Sequence, residues 1–478
     1  QVDEAVPGDI WEMGVEAVIR FQPLLAPVLH QIDVFFHSAF VPYRLIFDQW
    51  EDFITRGVDG DTTVALPEFN PVDGVDNVKG TLWDFFGFPT GVDPTGSYPL
   101  AFPWRAYNLF YNTFYRDPNF GLEVDLDQNT VLRRCWEKDY FTAALPTQQR
   151  GTAPALPISG TTQAVFTALS NLALQWPAVN TTTAGTMQYN TSDNAPYNFG
   201  TKSAMERGVA VATALHTQLN NKNTIDLSSA TTFDVEDLRL AFQMQKWMER
   251  NMRAGPRYIE QLKAHFGVNP RDDRLQRPEY IGGARSPVII SEVLQTSETG
   301  TSPQGNLAGH GIGVTKGMIG KYRVLEFGCI ITVMSIMPKP TYQQGIPRQW
   351  LRKTTFDFPF PEFANLSEQA ITNAEICATN SSAHNNGIFG YIGRFDELRT
   401  KQDMVVNEMR DTFDYWHLGR QFSTASPPAL NETFVQCNPR KDIFAVPSVP
   451  GIICNVANHI KAIRPIPSTS EPGLIDHN

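Results

Sequence analysis

The chain lacks an apolar run of the roughly 18 residues a membrane-crossing helix needs, and its N-terminus lacks the charged and apolar regions of a signal peptide. The expectation is a soluble protein made in the cytoplasm, without membrane insertion. Cysteine is scarce: five in 478 residues, Cys135, Cys329, Cys377, Cys437 and Cys454, with no C-x-x-C spacing. That argues against a zinc site, a redox pair or a disulfide framework, and predicts reduced thiols. A positive surplus is also missing, because 39 Lys and Arg against 50 Asp and Glu leave a net charge of -11. Such a chain cannot coat nucleic acid over its whole surface, which leaves room only for a local basic face.

The usual signatures of catalysis are missing as well. The nine histidines form no H-E-x-x-H and no i, i+4 pair, and no G-x-S-x-G elbow is present. GHGIG at Gly309 to Gly313 fails both nucleotide-loop patterns, since Val314 and Lys316 stand where glycines are required, so it reads as a flexible loop. Asp125, Asp127 and Asn129 imitate the start of a calcium loop, but Thr130 replaces the needed Gly and Trp136 falls where the bidentate Glu belongs. Carboxylates are plentiful, yet without a fold to place them none can be chosen as general acid or base. The expectation is no catalytic residue, no cofactor and no metal site.

What the chain does have is 42% hydrophobic residues, 11% aromatics, 34 Pro and 34 Gly, enough for a large core broken by many turns. From Trp11 to Phe21 the apolar residues fall on every second position, which predicts a half-buried strand. Ile32, Val34 and Phe36 repeat the alternation after PLLAPV, and the two segments are expected to be neighbours in one antiparallel sheet. Tyr43 to Ile54 changes to a helical period. Val58 to Pro118 carries isolated aromatics among Gly, Pro and Asp, as expected of a long connection anchored to the sheets or to a neighbouring copy. The run from Tyr322 to Met337 predicts a strand buried on both faces, and Ile452 to Arg464 another strand.

From Gly151 to about Thr231 the composition turns to Thr, Ser, Ala and Asn with few charges, too polar for a core of its own, so this segment reads as an insertion. Asp234 then suits an N-cap, with Leu238, Ala241, Phe242, Gln245, Met248 and Met252 at helical spacing. A second helix, Arg257 to Phe266, should end at Gly267. Alternating strands with long Gly- and Pro-rich connections favour an all-β sandwich or jelly roll over any α/β fold.

Several tracts, in order, carry a family resemblance: VDEAVPGD at Val2 to Asp9, FVPYRLIFDQWEDF at Phe40 to Phe53, KDYFTAALP at Lys138 to Pro146, LQRPEYIGG at Leu275 to Gly283, SPQGNLAGHGIG at Ser302 to Gly313, TYQQGIPRQW at Thr341 to Trp350, DYWHLGRQFS at Asp414 to Ser423 and PGLIDHN at Pro472 to Asn478. Together the chain resembles the major capsid proteins of the Microviridae, the small circular single-stranded DNA phages, in their gokushovirus branch. In that family an N-terminal arm precedes the first tract, whereas this sequence starts at Gln1.

The resemblance implies a single eight-stranded antiparallel jelly roll of the viral capsid type, residues 1–150 and 232–478, with long loop insertions containing short helices. It also implies self-assembly of sixty copies into a T=1 icosahedral shell around a circular single-stranded DNA genome. Other phage structural proteins and a bacterial host receptor would be its partners, and the virion, assembled in the host bacterial cytoplasm, its location. Residues 151–231 would project at the three-fold axes, with Thr181, Thr182, Tyr189, Asn190 and Tyr197 at a host-attachment tip. Basic residues lie near aromatics at Arg271, Arg274 and Arg277 and at Trp350, Arg352 and Lys353, a pairing suited to single-stranded DNA; the competing reading is a solvated face or a salt-bridge network between subunits. Trp83 and Trp104 are expected at subunit contacts. The alternative from another class is a carbohydrate-binding, lectin-like jelly roll.

Overall fold

The computed structural model describes residues 1–154, 160–163, 224–227, 235–298, 300, 304–366 and 368–466. The chain divides into two compact units, Gln1–Arg150 with Met248–Asn478, and Gly151–Trp247. Its described strands are β1 (Val2–Ala5), β2 (Ile10–Phe21), β3 (Ile32–Pro42), β4 (Gly160–Gln163), β5 (Thr224–Leu227), β6 (Glu279–Pro287), β7 (Ile289–Leu294), β8 (Leu307–Arg323), β9 (Gly328–Pro338), β10 (Gln369–Thr372), β11 (Ile388–Ile392) and β12 (Ile452–Ile463).

The first unit is β-dominated, with two four-stranded antiparallel sheets ordered β1-β9-β3-β6 and β12-β2-β8-β7. In β2 every odd-numbered residue from Trp11 to Phe21 is buried, as the period of two demands. The expectation that β2 and β3 are neighbours in one sheet is corrected: they belong to different sheets and meet face to face. Val34, Phe36 and Phe40 pack with Trp11, Met13, Val15, Ala17, Ile19 and Phe21 in one core. Two amphipathic strands can bury their apolar faces side by side or across a sandwich, and period alone cannot choose. Leu24, bridged to Gly309 and Phe444, lies in the connection that carries the chain from one sheet to the other.

Unlike β2, β3 is buried almost throughout, because excursions cover its second face. Ala39 and Val41 pack beneath Phe102, Ala106, Phe110, Tyr111 and Tyr115, together with Cys329 and Ile331 of β9. The apolar run near residue 330 therefore does face two cores, with Ile330 in the sandwich and its neighbours under the excursion. Its start differs from expectation: Tyr322 belongs to β8, and β9 opens at Gly328, where a Cβ would lie 2.5 Å from the Val41 carbonyl oxygen.

GHGIG is strand, not flexible loop. It sits within β8, hydrogen-bonded to both β2 and β7. A Cβ on Gly309 would stand 2.3 Å from the Ala26 carbonyl oxygen, and one on Gly311 would stand 2.9 Å from the Phe21 ring. Those glycines answer close approach rather than flexibility.

The helical face expected over Tyr43 to Ile54 breaks into a 3-10 turn, Tyr43–Leu45, and the short helix α1 (Trp50–Thr55). The break lets Tyr43 and Trp50 converge on Phe102, at 4.4 and 6.1 Å between ring centroids. The aromatic connection that follows contains α2 (Leu82–Phe85) and α3 (Phe102–Phe110), and Trp83 and Trp104 are 0% exposed. Phe69 and Phe88 stack on Trp104 at 4.1 and 5.5 Å, and the two indole N–H groups donate to Pro89 O and Asn129 Oδ1. This corrects their placement at subunit contacts, since side chains without exposed surface cannot touch another copy. They are the core of the excursion itself.

Helix α4 (Val235–Ala254) buries Met248 and Met252 while Phe242 is exposed, so its expected apolar face holds only at its C-terminal end. Asp234, its expected cap, lies outside the described residues. Helix α5 (Tyr258–Phe266) ends on left-handed Gly267, φ 69°, whose N–H reaches Lys263 O, as expected. In the second unit β4 and β5 pair antiparallel. All five thiols are free, and burial pushes those of Cys329 and Cys437 up to about 12, where they are inert.

Replacing Trp104 by Ala should cost the subunit about 3–5 kcal/mol, because it empties an aromatic stack and removes one of the two hydrogen bonds to Asn129 Oδ1. Urea unfolding of the isolated subunit checks this; an unchanged midpoint alongside impaired particle formation would restore the contact role.

Candidate functional site

Helix α5 feeds β6 through the loop that holds the first basic cluster. Arg271 and Arg274 are exposed there, whereas Arg277 lies over the Phe114 ring at 5.8 Å and faces Asp272 at 3.8 Å. Burial lowers the Arg277 pKa, with Asp272 acting against it. The second cluster lies in another excursion, after β9. Trp350 is 74% exposed and Lys353 is exposed, but Arg352 is turned inward and donates to Glu397 Oε1 at 2.8 Å. Arg352 is thus a structural cation rather than a surface one. Thr181, Thr182, Tyr189, Asn190 and Tyr197 lie outside the described residues.

Arg352 belongs to a buried charge network beside a cavity of about 300 Å³ lined by Tyr140, Arg348, Glu375 and Glu397. The Tyr140 hydroxyl and the Arg348 guanidinium each donate to a Glu375 carboxylate oxygen at 2.9 Å, and the Thr372 N–H adds a third bond at 2.9 Å. Gln369 Nε2 donates to Glu397 Oε2 at 2.7 Å. Burial pulls the Glu397 pKa upward, but the hydrogen bonds from Gln369 and Arg352 outweigh it and hold the carboxyl below its ordinary 4.5. Burial also drives the Tyr140 phenol well above its ordinary value. These paired charges clamp three chain segments together, although Arg352 Nε is buried without a hydrogen-bond partner.

The acidic pattern near residue 127 is likewise spent internally. Arg105 grips both carboxylate oxygens of Asp127, and Asn129 Oδ1 accepts from Trp83 N and Trp104 Nε1. Among the described residues no group of His, Cys, Asp or Glu is arranged to hold a metal ion.

Two features escaped sequence reasoning. Phe356, Phe358 and Phe360 are exposed together after Arg352, and their every-second spacing in TFDFPFPEF was the available signal. The other is the outer face of the β12-β2-β8-β7 sheet. Val18, Val314, Ile312 and Ile453 form an exposed aliphatic strip there, next to the ion pairs Lys321–Glu12 at 3.0 Å and Lys316–Glu16 at 3.8 Å, with His459 Nε2 3.3 Å from Glu16. Its charges lie on three strands far apart in sequence, so no local window shows them.

Compared with known proteins, the chain matches the capsid protein (F protein) family over residues 1–474. It is 33% identical to capsid protein VP1 of Chlamydia phage 1, across 99% of this chain and 92% of that protein. Capsid protein VP1 of Bdellovibrio phage phiMH2K is 32% identical, across 98% and 91%, and that of Spiroplasma virus 4 is 30% identical, across 98% and 90%.

Substituting Met for Arg348 leaves the buried Glu375 without its cation and should cost about 3–5 kcal/mol, read from urea unfolding. Glu397 contributes stability that is present above its unfolded pKa and lost as pH falls through its lowered folded value. In Arg352→Gln this acid loss, followed as unfolding midpoint from about pH 5 to pH 3, should shrink.

Proposed function

The chain belongs to the capsid protein (F protein) family and is a major capsid protein of the Microviridae type, and from that premise we propose how it builds its shell. The two facing four-stranded sheets are the eight strands of a single capsid jelly roll. Sixty copies assemble with T=1 icosahedral symmetry around a circular single-stranded DNA genome. The observation that carries this reading is the sandwich itself, over which the family match runs from end to end. The role is structural and non-enzymatic, in keeping with the capsid family that the chain matches. Other phage structural proteins complete the virion, which forms in the bacterial cytoplasm.

Residues 151–231 project at the three-fold axes and carry the host-attachment tip from Thr181 to Tyr197. The support is compositional: a nearly uncharged Thr-, Ser- and Asn-rich segment can satisfy its polar groups against symmetry copies but builds no large core alone. The apolar residues Val165, Phe166, Leu169, Leu172 and Leu174, with Val209, Val211 and Leu215, provide a modest shared seam.

Sedimentation and electron microscopy of the purified chain test the shell: closed megadalton particles are expected, and a small oligomer as the end state would refute it. Phage with residues 181–197 replaced by a Gly/Ser linker should form particles in normal yield yet adsorb poorly to host cells. Unchanged adsorption would remove the attachment role.

A further inference from the structure

The two sheets differ in what covers them. The outer face of β1-β9-β3-β6 lies under α3 and the turn after it. Among the described residues the outer face of β12-β2-β8-β7 has no such cover: Lys316 and Lys321 side chains are 78% and 64% exposed, and β12 is exposed along most of its length.

The register decides which charges share that bare face. Residues directly opposite one another in a ladder point the same way, and the even-numbered residues of β2 point outward. Glu12 therefore stands between Lys321 and Lys461, Ile10 beside Arg323, Arg20 between Ile312 and Ile453, and Glu16 opposite Lys316. Around these two carboxylates the face gathers Arg20, Lys316, Lys321, Arg323 and Lys461, with His459 beside Glu16. A positive surplus on one face of a chain whose net charge is -11 is a segregation of charge. Exposed ion pairs such as Lys321–Glu12 are worth little and leave the lysines free to exchange partners.

We propose that this bare sheet face is where the subunit meets single-stranded polynucleotide, its lysines and arginines holding successive phosphates. The inference rests on the capsid reading and assigns a surface within it. No Phe, Tyr or Trp side chain joins the outward rows of β2, β8 and β12, so contact is made chiefly to the backbone, without sequence preference. The aliphatic strip of Val18, Val314, Ile312 and Ile453 offers apolar contact to the sugars between phosphates. This face displaces the Arg271–Arg277 and Trp350–Lys353 tracts as the main contact, since Arg277 and Arg352 are already engaged within the subunit.

The test uses the unassembled full-length chain and a fluorescein-labelled oligothymidylate of about 30 nucleotides, followed by anisotropy against salt. Replacing Lys316, Lys321 and Lys461 together by Gln should weaken binding about tenfold or more and flatten the slope of log K against log salt by about 2, near 0.7 per lost phosphate contact. The thermal midpoint should stay at the parent value, because all three side chains are exposed. Replacing Arg271, Arg274 and Lys353 by Gln should change neither affinity nor slope. Parent-like affinity and slope in the first variant, or no binding by the unmodified chain, overturns the proposal. A first variant that binds DNA normally but forms no particles also overturns it and gives the face to a protein neighbour. Failure of the capsid reading would appear separately, as absence of particles from the unmodified chain.

Discussion

Everything in the first unit depends on the burial of β2 against β3 across the sandwich. Trp11, Met13, Val15, Ala17, Ile19 and Phe21 on one side and Val34, Phe36 and Phe40 on the other form a core that Leu24, Val28, Leu418, Ile443 and Phe444 from the connections complete. At roughly 1.5–3 kcal/mol for each large apolar side chain removed from water, that contact is a large contribution to the unit's stability. Glycines answer to it as well: a Cβ at Gly282 would stand 2.1 Å from the Ile319 carbonyl oxygen of the opposite sheet.

A rigid sandwich explains how such long excursions are carried. The chain leaves β3 at Pro42 and returns at Glu279 in β6, the hydrogen-bonded neighbour of β3. Because closure entropy rises only with the logarithm of loop length, a very long excursion between adjacent strands costs little more than a short one. The ordering of its residues is offset locally. Trp83 and Trp104 anchor one small core within it, and its Tyr140 and Phe141 join Tyr342 and Phe389 from later in the chain in another. The buried pairs of Arg348 and Arg352 with Glu375 and Glu397 then fix how the segments of this second core join, a matter of specificity more than of net stabilisation.

The outcome is a subunit with two unlike faces on its sandwich. One sheet is roofed by aromatic excursions, and the other is basic and aliphatic and, among the described residues, uncovered. A protein whose copies enclose something needs such asymmetry, since its two sides meet different surroundings. Exposed Trp350, Phe356, Phe358 and Phe360 sit on a further excursion, where large rings outside a core are the residues that interfaces favour.

Much of this was legible in the sequence. The strand period of Trp11 to Phe21, the doubly buried run around Ile330, the helix stopped by Gly267 and the family tracts are local patterns, and each reports what its own backbone must do to bury its own apolar atoms. The sequence by itself thus determined the β-dominated character, the family and the places where composition changes. Tertiary structure decided which sheet β3 joined, that GHGIG is strand, that Trp83 and Trp104 are core, and that Arg352 is spent on Glu397. These depend on partners outside any local window, from tens to hundreds of residues away: Lys461 shares a face with Lys321 only because both lie beside Glu12 in register. Periodicity specifies which way a side chain points relative to its own strand; only packing specifies what stands opposite.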